Sequence, residues 1–162
     1  YLQKKGKVIL VTGIPGTGKT TLSKQLAGLL NLKYLDVNQV VEEDNLSEGY
    51  DDEKDCQIIN EEKLVDSLVK RLNKGVVVDS HMAHYISPEK ADVCIVTHCN
   101  LKDLQNRLYS RGYKKEKVEE NTEAEIFDEC GQEAFEKGHK VVEVNTDKQV
   151  DYNELCKRIR AL

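Results

Sequence analysis

The sequence predicts an α/β protein with a parallel sheet that is covered by helices on both faces. Uninterrupted runs of Val, Ile and Leu alternate along the chain with segments whose apolar residues recur at helical spacing. The length of 162 residues fits one compact domain. We therefore expect a single domain over 1–162, in a three-layer arrangement of helices, sheet and helices.

Five short apolar runs are predicted to form the strands of the sheet. The first is bounded by glycines and leads into a glycine-rich loop, and the third ends at Asp79. The predicted strands are 7–12, 33–36, 75–79, 92–97 and 140–144. Because these runs do not alternate between polar and apolar residues, they are typical of parallel strands buried on both faces.

The segments between the strands are predicted to be helices and surface loops. Asn60 is a candidate N-cap, and Asn31 ends the first helix. The predicted helices are 19–30, 37–43, 60–73, 101–111, one long helix over 118–134, and 152–162. We expect 44–57 to be an irregular acidic lobe and 112–117 to be a basic, solvated loop.

Composition limits the classes of function. The net charge of −5 argues against a protein that coats nucleic acid. No run approaches the roughly 20 apolar residues of a membrane span, and 1–6 lack the apolar core of a secretory signal. The five cysteines contain no CxxC pair, so we expect buried, reduced thiols and a cytoplasmic location.

The segment 13–21 fits the phosphate-binding pattern GxxxxGK[ST] between a predicted strand and a predicted helix. Backbone N–H groups at such a helix start point at phosphate oxygens. Lys19 would place its charge on the β- and γ-phosphates, and the Thr20 hydroxyl would bind Mg²⁺. The predicted ligands of ATP are Gly13, Gly16, Thr17, Gly18, Lys19, Thr20 and Thr21.

Asp79 is the candidate second ligand of Mg²⁺, because it ends a buried strand predicted to lie beside the loop. The alternative is a capping or turn aspartate. His81 follows it and could orient a water or a phosphate, or be a structural histidine of the turn. His81 and His84 together provide too few ligands for a zinc site.

Arg107 and Arg111 lie four residues apart, on one face of a predicted helix. Guanidinium groups in this position could clamp the transferred phosphoryl group. Alternatively, they are solvated cations near a helix C-terminus. Arg111 is the stronger catalytic candidate because it borders the loop at Gly112.

These motifs resemble the adenylate kinase superfamily, and within it the branch of adenylate kinase isoenzyme six, or coilin-interacting nuclear ATPase, which includes archaeal relatives. The resemblance covers nearly the whole chain. It rests on the loop 13–21, Tyr34-Leu35-Asp36-Val37, 48–53, Asp55-Cys56, Asp79-Ser80-His81, Arg107 with Arg111-Gly112-Tyr113, Glu120-Asn121 and Glu125-Ile126-Phe127.

The resemblance implies a P-loop fold with five parallel strands in the order 2-3-1-4-5. It implies a lobe for a nucleoside monophosphate over about 36–58 and a short lid over about 110–120. It also implies ATP contacts from the loop and Arg111, and a metal and water-positioning role for Asp79 and His81. The activities implied are adenylate kinase and ATPase, in late maturation of the small ribosomal subunit through binding of a platform ribosomal protein.

The acceptor segment departs from ordinary adenylate kinases. Ser80-His81-Met82 replaces Gly-Phe-Pro-Arg, and the first arginine of the chain is Arg71. Segment 42–62, which begins at Glu42 and ends at Glu62, holds ten acids and a single base, Lys54. Such a lobe could be a solvated loop, or it could dock a basic ribosomal protein; RNA contact would then be indirect.

Three functions remain open at this point. The first is transfer from ATP to AMP with accompanying ATPase activity. The second is an ATP-gated assembly switch with little kinase activity on AMP, and the third is another small-molecule kinase of the same fold, such as a shikimate or cytidylate kinase.

Overall fold

The computed structural model describes residues 7–72 and 75–162 and confirms the α/β fold. The expectation for 1–6 and the predicted helix end at Asn73 lie outside the described residues. Within the described part of the chain, no helix is long and apolar enough to cross a membrane.

The described part of the chain forms seven strands and seven α-helices. The strands are β1 Val8–Gly13, β2 Lys33–Asp36, β3 Ser47–Asp51, β4 Cys56–Ile59, β5 Val76–Asp79, β6 Val93–His98 and β7 Val141–Asn145. The helices are α1 Lys19–Leu30, α2 Val37–Glu43, α3 Glu61–Val69, α4 Leu101–Ser110, α5 Lys115–Ile126, α6 Glu129–Lys137 and α7 Tyr152–Arg160. Two short 3₁₀ turns, Ala83–Tyr85 and Pro88–Lys90, lie between β5 and β6.

The central sheet has five parallel strands in the order β2-β5-β1-β6-β7. When only these five strands are numbered in chain order, the order is 2-3-1-4-5, as the resemblance implied. Strand β1 is central and fully buried. The order therefore brings the carboxyl ends of β5 and β6 to either side of the loop that follows β1.

Each face of the sheet carries its own apolar core. On one face, Leu10 packs among residues of α2, α3 and α6. On the other, Ile9 and Val11 pack against α1 and α7. Each fully buried Leu or Ile contributes about 1.5–3 kcal/mol to folding. These two layers of helices complete the predicted three-layer sandwich.

The prediction of an irregular segment 44–57 was wrong, because β3 and β4 form an antiparallel hairpin there. Asp51 accepts hydrogen bonds from the backbone N–H groups of Glu53 and Lys54 and so closes the turn. Most residues of both strands are exposed. The hairpin thus lacks the alternating apolar pattern by which a half-buried strand is recognised.

The predicted long helix 118–134 is broken into α5 and α6. Phe127 ends the first helix, and Asp128 adopts a left-handed backbone with φ of 51°. Aspartate tolerates this conformation better than most residues. Because α5 already begins at Lys115, the predicted basic loop 112–117 is shorter than expected.

The cysteines are free, as expected. Cys94, Cys99, Cys130 and Cys156 are buried. Cys56 is exposed on β4, contrary to the prediction of buried thiols.

His84 ties α6 to the central strand. Its ring is 1% exposed, with Nδ1 lying 2.6 Å from the hydroxyl of Thr12 and Nε2 lying 2.6 Å from a carboxylate oxygen of Glu133. His139 donates a hydrogen bond to the His84 carbonyl from a second side. Of the two histidines near Asp79, His84 is therefore the structural one.

We predict that His84→Ala lowers the free energy of unfolding by about 2–4 kcal/mol, because it opens a cavity and leaves the Thr12 hydroxyl without its buried partner. Urea unfolding of the nucleotide-free protein measures this. The matched control is His81→Ala, an exposed histidine whose loss should cost less than about 1 kcal/mol. Equal effects of the two substitutions would contradict the structural role of His84.

Candidate nucleotide-binding site

The predicted phosphate-binding loop joins β1 to α1 in the expected strand–loop–helix arrangement. Gly16 and Gly18 have φ values of 90° and 85°, which disfavour any residue with a side chain. A Cβ at Gly18 would also lie 3.2 Å from the Thr146 hydroxyl. Both glycines are thus required by the loop itself.

Buried hydroxyl groups fix this loop to the sheet. The Thr17 hydroxyl donates to the Ile14 carbonyl at 2.6 Å and lies 2.7 Å from the Thr97 hydroxyl of β6. The Thr146 hydroxyl, just after β7, lies 2.6 Å from the Thr17 carbonyl. Thr17 is completely buried, so its side chain anchors the loop, and its predicted role as an ATP ligand stays a prediction.

Arg107 also braces the loop. Its guanidinium donates to the Gly16 carbonyl at 3.2 Å and to the carbonyl and hydroxyl oxygens of Thr146 at 3.3 Å. The side chain therefore lies between the loop and the segment after β7. Its predicted catalytic role stays a prediction, and the observed contacts are with protein oxygens.

Lys19 lies at the start of α1, where its ammonium group donates to the carbonyls of Gly13 at 2.9 Å and Ile14 at 3.2 Å. Burial lowers the pKa of Lys19 to about 8; the charge of Arg111 acts in the same direction, and that of Asp79 opposes it. The predicted roles of Lys19, Asp79 and Arg111 stay predictions.

The two predicted metal ligands lie on adjacent elements. Asp79 ends β5 in register with Val11 of β1, and Thr20 is exposed in the first turn of α1. The Asp79 carboxylate accepts a hydrogen bond from the Tyr34 hydroxyl at 2.7 Å. Carboxylate and hydroxyl oxygens are the hard ligands that Mg²⁺ prefers, so the pair fits this ion.

Tyr34 is the member of the site that the sequence analysis missed. It lies on β2, two residues before the strand end that pairs with Asp79. Burial, together with its hydrogen bond to Asp79, raises the pKa of Tyr34, while its interaction with Thr20 lowers it. Tyr34 thus contacts Asp79, one of the two predicted metal ligands.

His81 is exposed beside this group, and its backbone carbonyl accepts a hydrogen bond from Thr12. Desolvation, followed by the positive charge of Lys19, lowers the pKa of His81. The imidazole is therefore neutral at pH 7 and able to accept a proton or a hydrogen bond.

The predicted lid, about 110–120, includes Arg111, the exposed C-cap of α4. Gly112 follows with a φ of 82°, which turns the chain toward α5. Lys117 of α5 lies 4.2 Å from the centre of the Tyr113 ring and donates a hydrogen bond to the Asp55 carbonyl at 3.0 Å. The predicted solvated lysine thus joins the lid to the β3–β4 hairpin.

A glycine-rich loop between β1 and α1, with a carboxylate at the end of the neighbouring strand β5, is typical of the P-loop kinase fold. A solved shikimate kinase from Acinetobacter baumannii matches 97% of the chain, and the match covers 92% of that structure with a TM-score of 0.61. At 14% identity this likeness shows the fold alone. The family model described as "AAA domain" matches residues 9–128.

Two curated relatives identify the family. The adenylate kinase isoenzyme 6 homolog of Caenorhabditis elegans is 41% identical over 131 residues, which are 79% of this chain and 72% of that protein. The Saccharomyces cerevisiae homolog is 34% identical over 163 residues, or 98% and 83% of the two chains. This chain belongs to the adenylate kinase isoenzyme 6 family, as the sequence analysis expected.

The pKa of Lys19 predicts how ATP binding depends on pH. Below about pH 8 the ammonium is charged and attracts the phosphates; above it the charge is lost in the free protein. We expect the affinity for ATP with Mg²⁺ to fall by up to about tenfold per pH unit above that value. Titration calorimetry from about pH 7 to about pH 9 measures the decline.

The control for this experiment is Lys19→Arg, whose guanidinium remains charged throughout. Its residual affinity for ATP should be nearly constant over the same range. A parallel decline in both proteins would assign the effect to another group.

We predict that Tyr34→Phe raises the Mg²⁺ concentration needed for half-maximal ATP turnover by about tenfold, since the hydroxyl orients the Asp79 carboxylate. The rate at saturating Mg²⁺ should change little. Tyr152→Phe on α7 serves as the matched control. An unchanged Mg²⁺ requirement in Tyr34→Phe would show that this hydrogen bond does not position the metal ligand.

Proposed function

We propose that this chain is an ATP-binding, adenylate kinase-like phosphotransferase, converting ATP and AMP to two ADP, with accompanying ATPase activity. The observation that carries the proposal is the strand–loop–helix arrangement, with Lys19 at the start of α1 bonded to the loop carbonyls and Asp79 at the end of the neighbouring strand β5. The names of the family relatives as adenylate kinase isoenzyme 6 homologs support the kinase assignment.

Each residue has a distinct role in this proposal. The backbone N–H groups of the loop hold the phosphates, and Lys19 places charge between the β- and γ-phosphates. Thr20 and Asp79 would hold Mg²⁺, which neutralises charge on the phosphate oxygens when bound. Arg111 would stabilise charge that develops during transfer, and neutral His81 would orient an attacking water in hydrolysis.

The acceptor side favours a strong ATPase component. Arg71, the first arginine of the chain, is engaged with Asp44 at 2.8 and 2.9 Å and with Glu43 at 3.4 Å. It also donates to the Ser67 carbonyl at 2.8 Å. Since the Arg71 guanidinium is already neutralised, its contribution to binding the AMP dianion is reduced. This observation supports the second candidate, an ATP-gated switch with little kinase activity on AMP.

The experiment that tests the proposal measures ADP formation with and without AMP. Lys19→Ala should reduce both rates by at least about a hundredfold, because no other group supplies charge at that position. Lys157→Ala on α7 is the surface-lysine control. ATPase activity of Lys19→Ala within a few-fold of the unmodified protein would overturn the proposal.

The comparison between the two rates distinguishes the candidates. Stimulation by AMP with two ADP formed per cycle is the result expected of the kinase. ADP formation that AMP does not change would leave the ATPase switch as the function.

We further propose that the partner is a basic ribosomal protein of the small subunit and that the protein acts in maturation of that subunit in the cytoplasm. The resemblance noted from the sequence suggests this role. The exposed acidic hairpin β3–β4 supports it, because its charge favours a cationic surface and repels an RNA backbone. Contact with pre-ribosomal RNA would then be indirect.

Reversal of Asp51, Asp52 and Glu53 to lysine should weaken binding of the basic ribosomal protein at least about tenfold and slow its association at low salt. ATP affinity should stay the same. The control reverses three exposed acids elsewhere, Glu129, Glu136 and Glu154. Binding that is insensitive to the hairpin reversal and to added salt would exclude docking on this lobe.

A further inference from the structure

A second group of ligand-type side chains lies outside the residues assigned to ATP and Mg²⁺. His98 ends β6, Glu125 lies in the last turn of α5, and Asp128 follows at the break before α6. One donor atom from each lies within 4.8 Å of the other two. Glu143 of β7 adds a carboxylate oxygen at 3.7 Å from His98 Nε2.

The distances around His98 are of two kinds. Nδ1 lies 2.9 Å from an oxygen of Glu125, a hydrogen-bond distance. Nε2 lies 3.8 Å from Asp128 and 3.7 Å from Glu143, too far for hydrogen bonds. Two ligands of one tetrahedral ion with bonds of about 2.1 Å lie roughly 3.4 Å apart. The distances from Nε2 to the two carboxylates are therefore close to the spacing of two ligands that share an ion.

Glu125 is the unusual member of the group. Its side chain is 7% exposed, and its second oxygen, Oε2, is buried without a hydrogen-bond partner. A buried, unpartnered carboxylate oxygen is costly, because it has lost water and gained nothing. A cation within the group would supply the missing partner.

The local charge points to the same kind of ligand. Three carboxylates surround one imidazole, and across 7–72 and 75–162 none of the three forms an ion pair with a lysine or arginine at an N···O distance of 4.0 Å or less. Asp128 and Glu143 also line a groove of about 510 Å³, with Arg158 on its wall. The groove gives an ion access from solvent.

We propose that His98, Glu125 and Asp128, with Glu143 at the solvent-facing rim, form a binding site for a divalent transition-metal ion, Zn²⁺ foremost. The imidazole favours Zn²⁺ over Mg²⁺, which prefers an all-oxygen octahedron. A bound ion would tie the α5–α6 break to the end of β6, next to the Thr97 hydroxyl that anchors the P-loop.

The test uses metal-stripped, nucleotide-free protein, so that the site for ATP with Mg²⁺ does not take up the ion. Equilibrium dialysis against Zn²⁺ should show one saturable site, and Zn²⁺ should raise the melting temperature. His98→Asn and Glu125→Gln should each lose at least about tenfold in Zn²⁺ affinity. Both should also lose the thermal shift.

Two controls are matched to these variants. Glu119→Gln removes an exposed carboxylate from the same helix, and Asp79→Asn removes the candidate Mg²⁺ ligand. Both should bind Zn²⁺ as the unmodified protein does. Thermal melting in the presence of chelator checks that each variant is folded without metal. If His98→Asn or Glu125→Gln does not fold, Asp128→Asn is tested in its place.

The proposal would be overturned if no saturable Zn²⁺ site exists, or if His98→Asn and Glu125→Gln bind as tightly as the controls. Substitution by Co²⁺ separates this site from a cysteine site. Absorption by d–d bands that depend on His98 supports the proposal. A thiolate-to-cobalt charge-transfer band that persists in His98→Asn would assign the binding to cysteines and would reject the proposal.

Discussion

The phosphate-binding loop depends on buried hydroxyl hydrogen bonds between three separate strand ends. Thr17 in the loop meets Thr97 on β6, and Thr146 after β7 reaches the Thr17 carbonyl. Neutral hydroxyls can make these contacts in a fully buried position without the desolvation cost of a charge. These contacts fix the loop to the sheet through its side chains. The backbone N–H groups of the loop can therefore be held toward an anion.

Electrostatics divides the molecule into two surfaces. Lys19 and Arg111 concentrate positive charge at the loop, while the β3–β4 hairpin concentrates negative charge on the lobe where an acceptor would bind. The contact of Lys117 with the Asp55 carbonyl joins the two regions. In the proposed function, the positive charge at the loop would attract ATP, whereas the negative charge of the hairpin would disfavour binding of a second anion.

Apolar runs predicted the five strands of the central sheet, because they reflect local requirements of the chain, and the family resemblance implied their order. The roles of Lys19, Asp79 and Arg111 stay predictions. The sequence did not reveal the hairpin, whose exposed strands lack an apolar face. It also missed the helix break, since the apolar spacing continues across Asp128 and only its left-handed backbone interrupts the helix. Tyr34 was overlooked because its hydroxyl meets Asp79 through strand pairing, which depends on the assembled sheet.

The broken helix also limits how the site can close. Val118 near the start of α5 packs in one buried cluster with Leu104 and Leu108 of α4. Beyond the break, α6 is held to β1 through Glu133 and His84. Both ends of the α5–α6 unit are thus fixed to the core, and a swing of the whole unit would have to break buried contacts. Arg111 and Gly112 are exposed and are not part of these buried contacts, so a local change of the chain at Gly112 would let Arg111 approach a bound phosphate.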